Sequence, residues 1–238
     1  MSNLELKPMG IKNYGSIPHI PGSRIGTGEH MLPQGQADIA LVKTRDKNDI
    51  VWCQEKLDGS NVGIYRKGNE VFPLIRSGHI ANSSPYEQHH KFYNWAMKNQ
   101  NRFLENIDDG CRLCGEWLYQ PHGTLYNLPH EPFVLFDYMT GAKRTPWEHM
   151  IYLFERRFQL PATISGVTSI EKAWAFFGEK GKHGALEKIE GFVWRVERRI
   201  PAKVNEDCDG LSVDFLCKYV RPDKVDGKYL KNKFVGEI

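Results

Sequence analysis

The stretch Asp49 to Arg66, DIVWCQEKLDGSNVGIYR, places a lysine at the end of a β-branched and aromatic run and follows it at once with a polar turn. Ile50, Val51 and Trp52 predict a strand and Asp58-Gly59-Ser60 a turn. Asn61 to Arg66 then predict the returning strand, with Val62, Ile64 and Arg66 on one face. This arrangement calls for a sheet with a polar cluster at a strand end. Lys56, between Glu55 and Asp58-Gly59, has two readings there, a solvated surface ammonium or a nucleophilic amine.

Downstream, strands and helices alternate, so the expected class is α/β with α+β character. The turn Lys67 to Glu70 leads into a second hairpin strand, Val71 to Arg76, which returns Arg76 toward Lys56. Phe92, Trp95, Ala96, Phe103, Leu104 and Ile107 recur at near-helical spacing and predict one amphipathic helix from Tyr86 to Ile107, with His89 and His90 solvated. Cys111 to Tyr119 reads as an apolar strand interrupted by Arg112 and Glu116, and a carboxylate in such a run is costly without a partner, which marks Glu116 as a site residue. Phe133 to Met139 is the next strand, with Asp137 directly after Phe136. Helices are expected at Trp147 to Phe158 and Ile170 to Phe177, and closing strands at Ile189 to Val196 and Leu211 to Arg221.

The first 48 residues differ in texture. Pro8, Gly10, Gly15, Pro18, Pro21, Gly22 and their successors up to Gly35 argue against long regular elements. Gly22-Ser23-Arg24 and Gly26-Thr27-Gly28-Glu29-His30 have the makings of a phosphate cradle, but glycine in turns is common, so an ordered packing arm is the preferred reading. The tail, with Lys224, Lys228, Lys231 and Lys233, reads as a solvated basic face.

Composition narrows the setting. With 40% hydrophobic and 26% charged residues in a chain of 238, a soluble globular protein is expected, and no 18-residue apolar run or signal-like start supports membrane insertion or secretion. The net charge of +3 means that any polyanion must be gripped by a local patch. Five cysteines suggest reduced thiols and a cytoplasmic location, and Cys111 and Cys114 have no second pair at zinc-site spacing.

Taken together, Lys56-Leu57-Asp58-Gly59, Gly115-Glu116-Trp117, Phe136-Asp137, Glu190-Gly191-Phe192-Val193 and Lys218 resemble, in order, motifs I, III, IIIa, IV and V of the covalent nucleotidyltransferases, the ATP-dependent polynucleotide ligases and mRNA-capping enzymes. Asn61, where DNA ligases and capping enzymes carry arginine, and Arg76 at its distance from Lys56 are similar to the ATP-dependent RNA ligases of the ligase 2 type.

The resemblance implies a nucleotidyltransferase (ATP-grasp-like) domain of two antiparallel sheets flanked by helices over residues 49–238, with residues 1–48 as an arm packed on it. It implies an ATP-dependent RNA ligase that joins 5′-phosphate and 3′-hydroxyl ends through a lysyl-AMP. ATP, RNA and Mg²⁺ (or Mn²⁺) would be its ligands. Lys56 would be the nucleophile, and Glu55, Asn61, Arg76, Glu116, Phe136, Glu190 and Lys218 would bind the nucleotide. Glu190 would also position the metal, and Asn61, Arg76 and Arg221 would serve the RNA. A DNA nick sealer and a catalytically silent nucleic-acid-binding module are the alternatives.

An ordinary lysine, with a pKa of about 10.4, is almost wholly protonated at pH 7, so desolvation and nearby cations are expected to lower that of Lys56. Two departures from the family pattern stand out. Val220 occupies the place of the second motif V lysine, so that either Lys218 acts alone or a bulge turns Arg221 inward. Only residues 222–238 follow motif V, too few for a C-terminal OB domain, which leaves RNA binding to the catalytic domain, the arm or an accessory protein.

Overall fold

A computed structural model describes residues 6–200 and 210–230. Lys231 and Lys233 of the expected basic tail lie outside the described residues. Among the described residues, nine strands form two antiparallel sheets. The first has the order β7 (Thr163–Ser165), β1 (Asp49–Lys56), β8 (Gly191–Ile200), β9 (Gly210–Val220). The second runs β3 (Glu70–Ile75), β2 (Ser60–Lys67), β4 (Cys111–Trp117), β5 (Phe133–Thr140), β6 (Lys143–Arg144).

The expected hairpin at Asp58-Gly59-Ser60 does not form. β1 pairs with β7 and β8, whereas β2 pairs with β3 and β4, so residues 57–59 carry the chain from one sheet to the other. Alternation fixes which face a strand buries but not which strand it pairs with. Leu57 is buried in the crossing, the Asp58 N–H donates to the Tyr126 hydroxyl, and Gly59 lies so close to the Trp117 carbonyl that a Cβ would sit 2.4 Å from it. Lys56 therefore ends one sheet where the other begins.

Each sheet has its own core. Val62, Ile64, Leu113, Trp117 and Phe133 of the second sheet pack on Phe92 and Trp95 of α2 (Glu87–Lys98), Phe103 of α3 (Gln100–Asn106) and Trp147 and Met150 of α4 (Trp147–Phe154). Val51, Cys53, Phe192, Trp194 and Cys217 of the first sheet pack on α1 (Gln34–Leu41) and α5 (Ile170–Phe177).

The single helix expected from Tyr86 to Ile107 is two. Asn99 leaves helical geometry at φ −103° and ψ 18°, and its side-chain amide donates to the Trp95 carbonyl, ending α2 while Phe103 still reaches the same core. In the loop-rich arm, the glycine and proline around α1 hid this helix in the sequence. It follows Pro33 and buries Ala37 and Ala40.

The arm is bound to the last strand. Lys218 N–H donates to Pro18 O, Ile20 N–H to Lys218 O, and Arg24 N–H to Val220 O, a parallel fringe along β9. Further up, Asn13 lies over Gly63, where a Cβ would meet its side chain at 2.2 Å. Among the described residues no helix is long and apolar enough to cross a membrane.

Candidate active site

Both sheets and the arm line a cleft of about 1140 Å³. The register explains what faces it. Gln54, Val193 and Lys218 form one row across β1, β8 and β9, and Lys56 lies in a row opposite Gly191 and Val220. Gly191 has φ +154°, and a Cβ there would meet the Tyr219 carbonyl at 2.0 Å, so the residue after Glu190 must be glycine. On the other sheet Asn61 is the cross-strand partner of Glu116. The β4–β5 register shifts between Cys114, paired with Asp137, and Gly115, paired with Leu135. Phe136 is the extra residue of this bulge, and it borders the cleft.

Lys56 Nζ donates to Glu190 Oε2 at 2.5 Å. Burial acts to lower the pKa of this amine, but Glu190, Glu116 and Asp58 outweigh it, and the net shift is upward. The lowered pKa expected from sequence is thus reversed, because the carboxylates around the lysine outnumber the cations. Glu190 moves below the ordinary carboxylate range: burial would raise it, and Lys56 and Lys224 more than offset that. Glu116 is pushed up to about 7 by burial, with Lys56 and the Gly59 N–H opposing. Its Oε1 accepts that N–H at 3.0 Å.

Of the residues singled out in the sequence, Glu55, Lys56, Asn61 and Arg76 border the cleft, as do Glu116, Phe136, Glu190 and Lys218. Arg76 donates to Ser16 Oγ and Gly15 O, and among the described residues it has no carboxylate partner. Glu55 sits on the opposite face of β1 from Lys56, with Oε2 accepting the Lys182 N–H at 2.7 Å. Arg221 does not border the cleft. Its guanidinium is held outside by the Ile189 and Lys188 carbonyls and by Asp223.

The second cation near Lys56 is Lys224, which the sequence reading placed on a solvated face. Its side chain is 2% exposed, with the ammonium 2.9 Å from Asp58 Oδ1 and 3.2 Å from Glu190 Oε1. No local pattern distinguishes it, since the turn after β9 decides where it points. His122 also lines the cleft, with little in the sequence to mark it. It hydrogen-bonds Ser60 Oγ at 3.2 Å, and its only signal is a histidine between Pro121 and Gly123. His89, expected to be solvated, is half-buried on the cleft wall against Ser84 Oγ, and burial first, then His122 and His90, lower its pKa to about 4. Among the described residues, the buried Gln54 Nε2, Asn61 Oδ1 and Arg195 Nε of the cleft lining lack hydrogen-bond partners, as does Glu55 Oε1 behind β1. Orphaned groups on a cavity wall are costly unless a ligand pairs with them.

Among the described residues no group of three or more histidine, cysteine, aspartate or glutamate side chains is arranged to hold a metal ion. Glu190 and Asp58 instead fit a hydrated Mg²⁺ or Mn²⁺ that arrives with phosphate, since such ions use one or two carboxylates plus substrate oxygens and water. Cys111 and Cys114 are free thiols, as are Cys53 and Cys217.

The sequence profile of the RNA ligase family matches residues 49–220, well over half of the chain. This chain belongs to the RNA ligase family. Several solved RNA ligases are similar to it in structure. An archaeal ATP-dependent RNA ligase shares 20% identity, with 73% of this chain and 43% of that chain covered and a TM-score of 0.45. A Naegleria gruberi RNA ligase with pyrophosphate shares 19%, covering 83% and 59% with a TM-score of 0.48. A variant of that ligase with AMP and Mn shares 15%, covering 89% and 61% with a TM-score of 0.49. The chain thus spans roughly half the length of the solved RNA ligases it matches. No curated protein sequence matches it significantly.

Proposed function

We propose that this chain is the nucleotidyltransferase domain of an ATP-dependent RNA ligase, acting in the cytoplasm, that joins 5′-phosphate and 3′-hydroxyl ends through a lysyl-AMP. The observation that carries this reading is the placement of Lys56 Nζ in a cleft between two sheets, 2.5 Å from Glu190, with Glu116, Lys218 and Lys224 around it.

In the first step the neutral amine attacks the α-phosphorus of ATP. The Lys56 ammonium must first give a proton to water by way of Glu190 Oε2, to which it donates; a P–N bond then forms, the bond to the bridging oxygen breaks, pyrophosphate leaves with the electron pair, and the second amine proton passes to solvent. Lys218 and Lys224 are the cations of the cleft that face the phosphates of a bound nucleotide. These cations neutralise charge that grows on the phosphate oxygens, where fixed donors in a dry site contribute most. Glu190 would hold Mg²⁺ (or Mn²⁺), and the ion would add to the neutralisation of those oxygens.

Glu116 accepts from the ribose hydroxyls and Phe136 stacks on adenine. Glu55 supports the nucleotide site from behind β1, fixed on the Lys182 N–H. Asn61 and Arg76, on the open side of the cleft, serve the adenylylated 5′ end in the later steps. There the 5′-phosphate takes AMP from Lys56, and the 3′-hydroxyl then displaces AMP to make the phosphodiester. Arg221 contributes to RNA binding only from outside the cleft. Residues 6–48 act as an integral wall of this domain, and an accessory protein or further chain supplies the rest of the RNA grip.

Incubation with α-labelled ATP and Mg²⁺ tests the first step. Label is expected on the wild-type protein and none on Lys56→Ala. Label that persists in the variant removes Lys56 from this role, and equal labelling by GTP favours a capping chemistry instead.

A further inference from the structure

The wall of the cleft built by the arm holds an anion site that the chain fills with its own carboxylate. Glu29 accepts from Lys218 Nζ at 2.5 Å through Oε1 and from the Gly26 N–H at 2.9 Å through Oε2. His19 Nε2 lies 2.9 Å from the same Oε2 in a contact short of a well-aligned hydrogen bond. The other ring nitrogen is fixed by Ser23 Oγ at 2.6 Å, and Ser23 Oγ accepts the Val220 N–H. The imidazole is 1% exposed and cannot swing to solvent, whereas the Glu29 side chain is 31% exposed on the loop of residues 26–29. The donors are held by the fold, and the acceptor has a path out to water.

The neighbouring cation repeats the pattern. Arg24, also on the cleft wall, is covered by Asp226 at 2.7 Å. An ammonium, a backbone N–H, an imperfectly paired imidazole and an adjacent guanidinium together match the oxygens of a polyphosphate better than one carboxylate.

We propose that Glu29 is a displaceable occupant of a pyrophosphate subsite formed by Lys218, His19, the Gly26 N–H and Arg24. This rests on the nucleotide reading of the cleft and assigns the phosphates beyond the α-phosphorus to the arm. Glu29 holds Lys218 in place. When ATP enters, the β- and γ-phosphates take over the donors and Glu29 turns out to solvent. After the P–N bond has formed, return of Glu29 competes with the leaving pyrophosphate and helps to expel it. Glu29 is thus a positioning residue for Lys218, and it lowers the affinity for polyphosphate by the fraction of time it occupies the site.

The test is calorimetric titration of the full chain with inorganic pyrophosphate at fixed ionic strength, for wild type, Glu29→Gln and Glu29→Ala, with thermal melts on each. Glutamine keeps the acceptor for the Gly26 N–H and removes the charge, so its fold is expected to survive. Pyrophosphate should bind about tenfold more tightly to both variants than to wild type. Adding Lys218→Ala to Glu29→Gln should abolish the gain. A KM for ATP that falls while lysyl-AMP is reversed more readily by pyrophosphate would accompany it. Unchanged or weaker pyrophosphate binding in Glu29→Gln overturns the proposal and makes Glu29 a permanent partner of Lys218. The two readings fail separately: wild type that takes no label from ATP while Glu29→Gln gains pyrophosphate affinity defeats the ligase assignment alone.

Discussion

Replacing Lys224 by methionine isolates the contribution of the second cation of the site. The side chain is 2% exposed and its ammonium bridges Asp58 and Glu190, so methionine fills the space and deletes the charge. Asp58 keeps the Gly123 N–H and Glu190 keeps Lys56, which leaves each carboxylate one donor short but not stranded. Removing one partner from a buried ion pair costs about 3–5 kcal/mol, and the remaining donors put this case near the lower end. At about 3 kcal/mol the melting temperature of a chain this size falls by roughly 6–12 °C.

Loss of a charge-assisted phosphate contact, about 2–3 kcal/mol, lowers the rate of lysyl-AMP formation by roughly 30- to 150-fold. Because most of the stability loss is an uncompensated carboxylate, Asp58→Asn combined with Lys224→Met should recover at least half of it without restoring the rate. Arg221→Ala, altering a guanidinium held outside the cleft, should keep adenylylation near wild type. Melting curves and label incorporation decide the matter. Unaltered melting and labelling in Lys224→Met, or a rate loss in Arg221→Ala that matches it, would refute the assignment of the second cation to Lys224.

Three other outcomes follow from individual contacts. Burial raises the Glu55 carboxyl to about 7, so its contribution to stability is present at low pH and is lost as pH rises through that value; Glu55→Gln should therefore be more stable than wild type by up to about 3 kcal/mol at pH 8 and equal to it near pH 4, as read by urea unfolding. Tyr14 donates to Asp137 Oδ2 at 2.6 Å and meets the Phe136 ring edge-on at 5.0 Å, so in thermal melts Tyr14→Phe should cost about 1 kcal/mol, whereas Tyr14→Ala should cost about 3–5 kcal/mol and also raise the KM for ATP. With pre-adenylated nicks, sealing should demand 2′-hydroxyls on the terminal 3′-OH-side sugars and fall on the order of tenfold or more between low and physiological salt; indifference to deoxy substitution there assigns a DNA substrate instead.

The order of polar residues along the strands is legible in the sequence alone. Lys56, Glu116, Glu190 and Lys218 each lie within or at the end of an apolar run, where a polar residue declares itself through the cost of burying it, whereas Phe136 is marked only by the family resemblance. The longer strands are legible for a related reason, since alternation and helical spacing report which face is buried, whereas the short strands β6 and β7 carry no such signal. What tertiary structure decided were the properties that depend on partners distant in sequence. β1 and β2 went to separate sheets because strand pairing is chosen by the whole set of strands. The β4–β5 bulge aimed Phe136 at the cleft, and the turn after β9 sent Lys224 inward and left Arg221 outside. The direction of the Lys56 shift also belongs to the folded state, because it is a sum over charges from residues 58, 116 and 190 that only the fold brings together around the amine. In the arm, glycine and proline spacing announces loops but gives no hint that residues 18–24 lie along β9. That pairing is carried by backbone groups, which every sequence has in common.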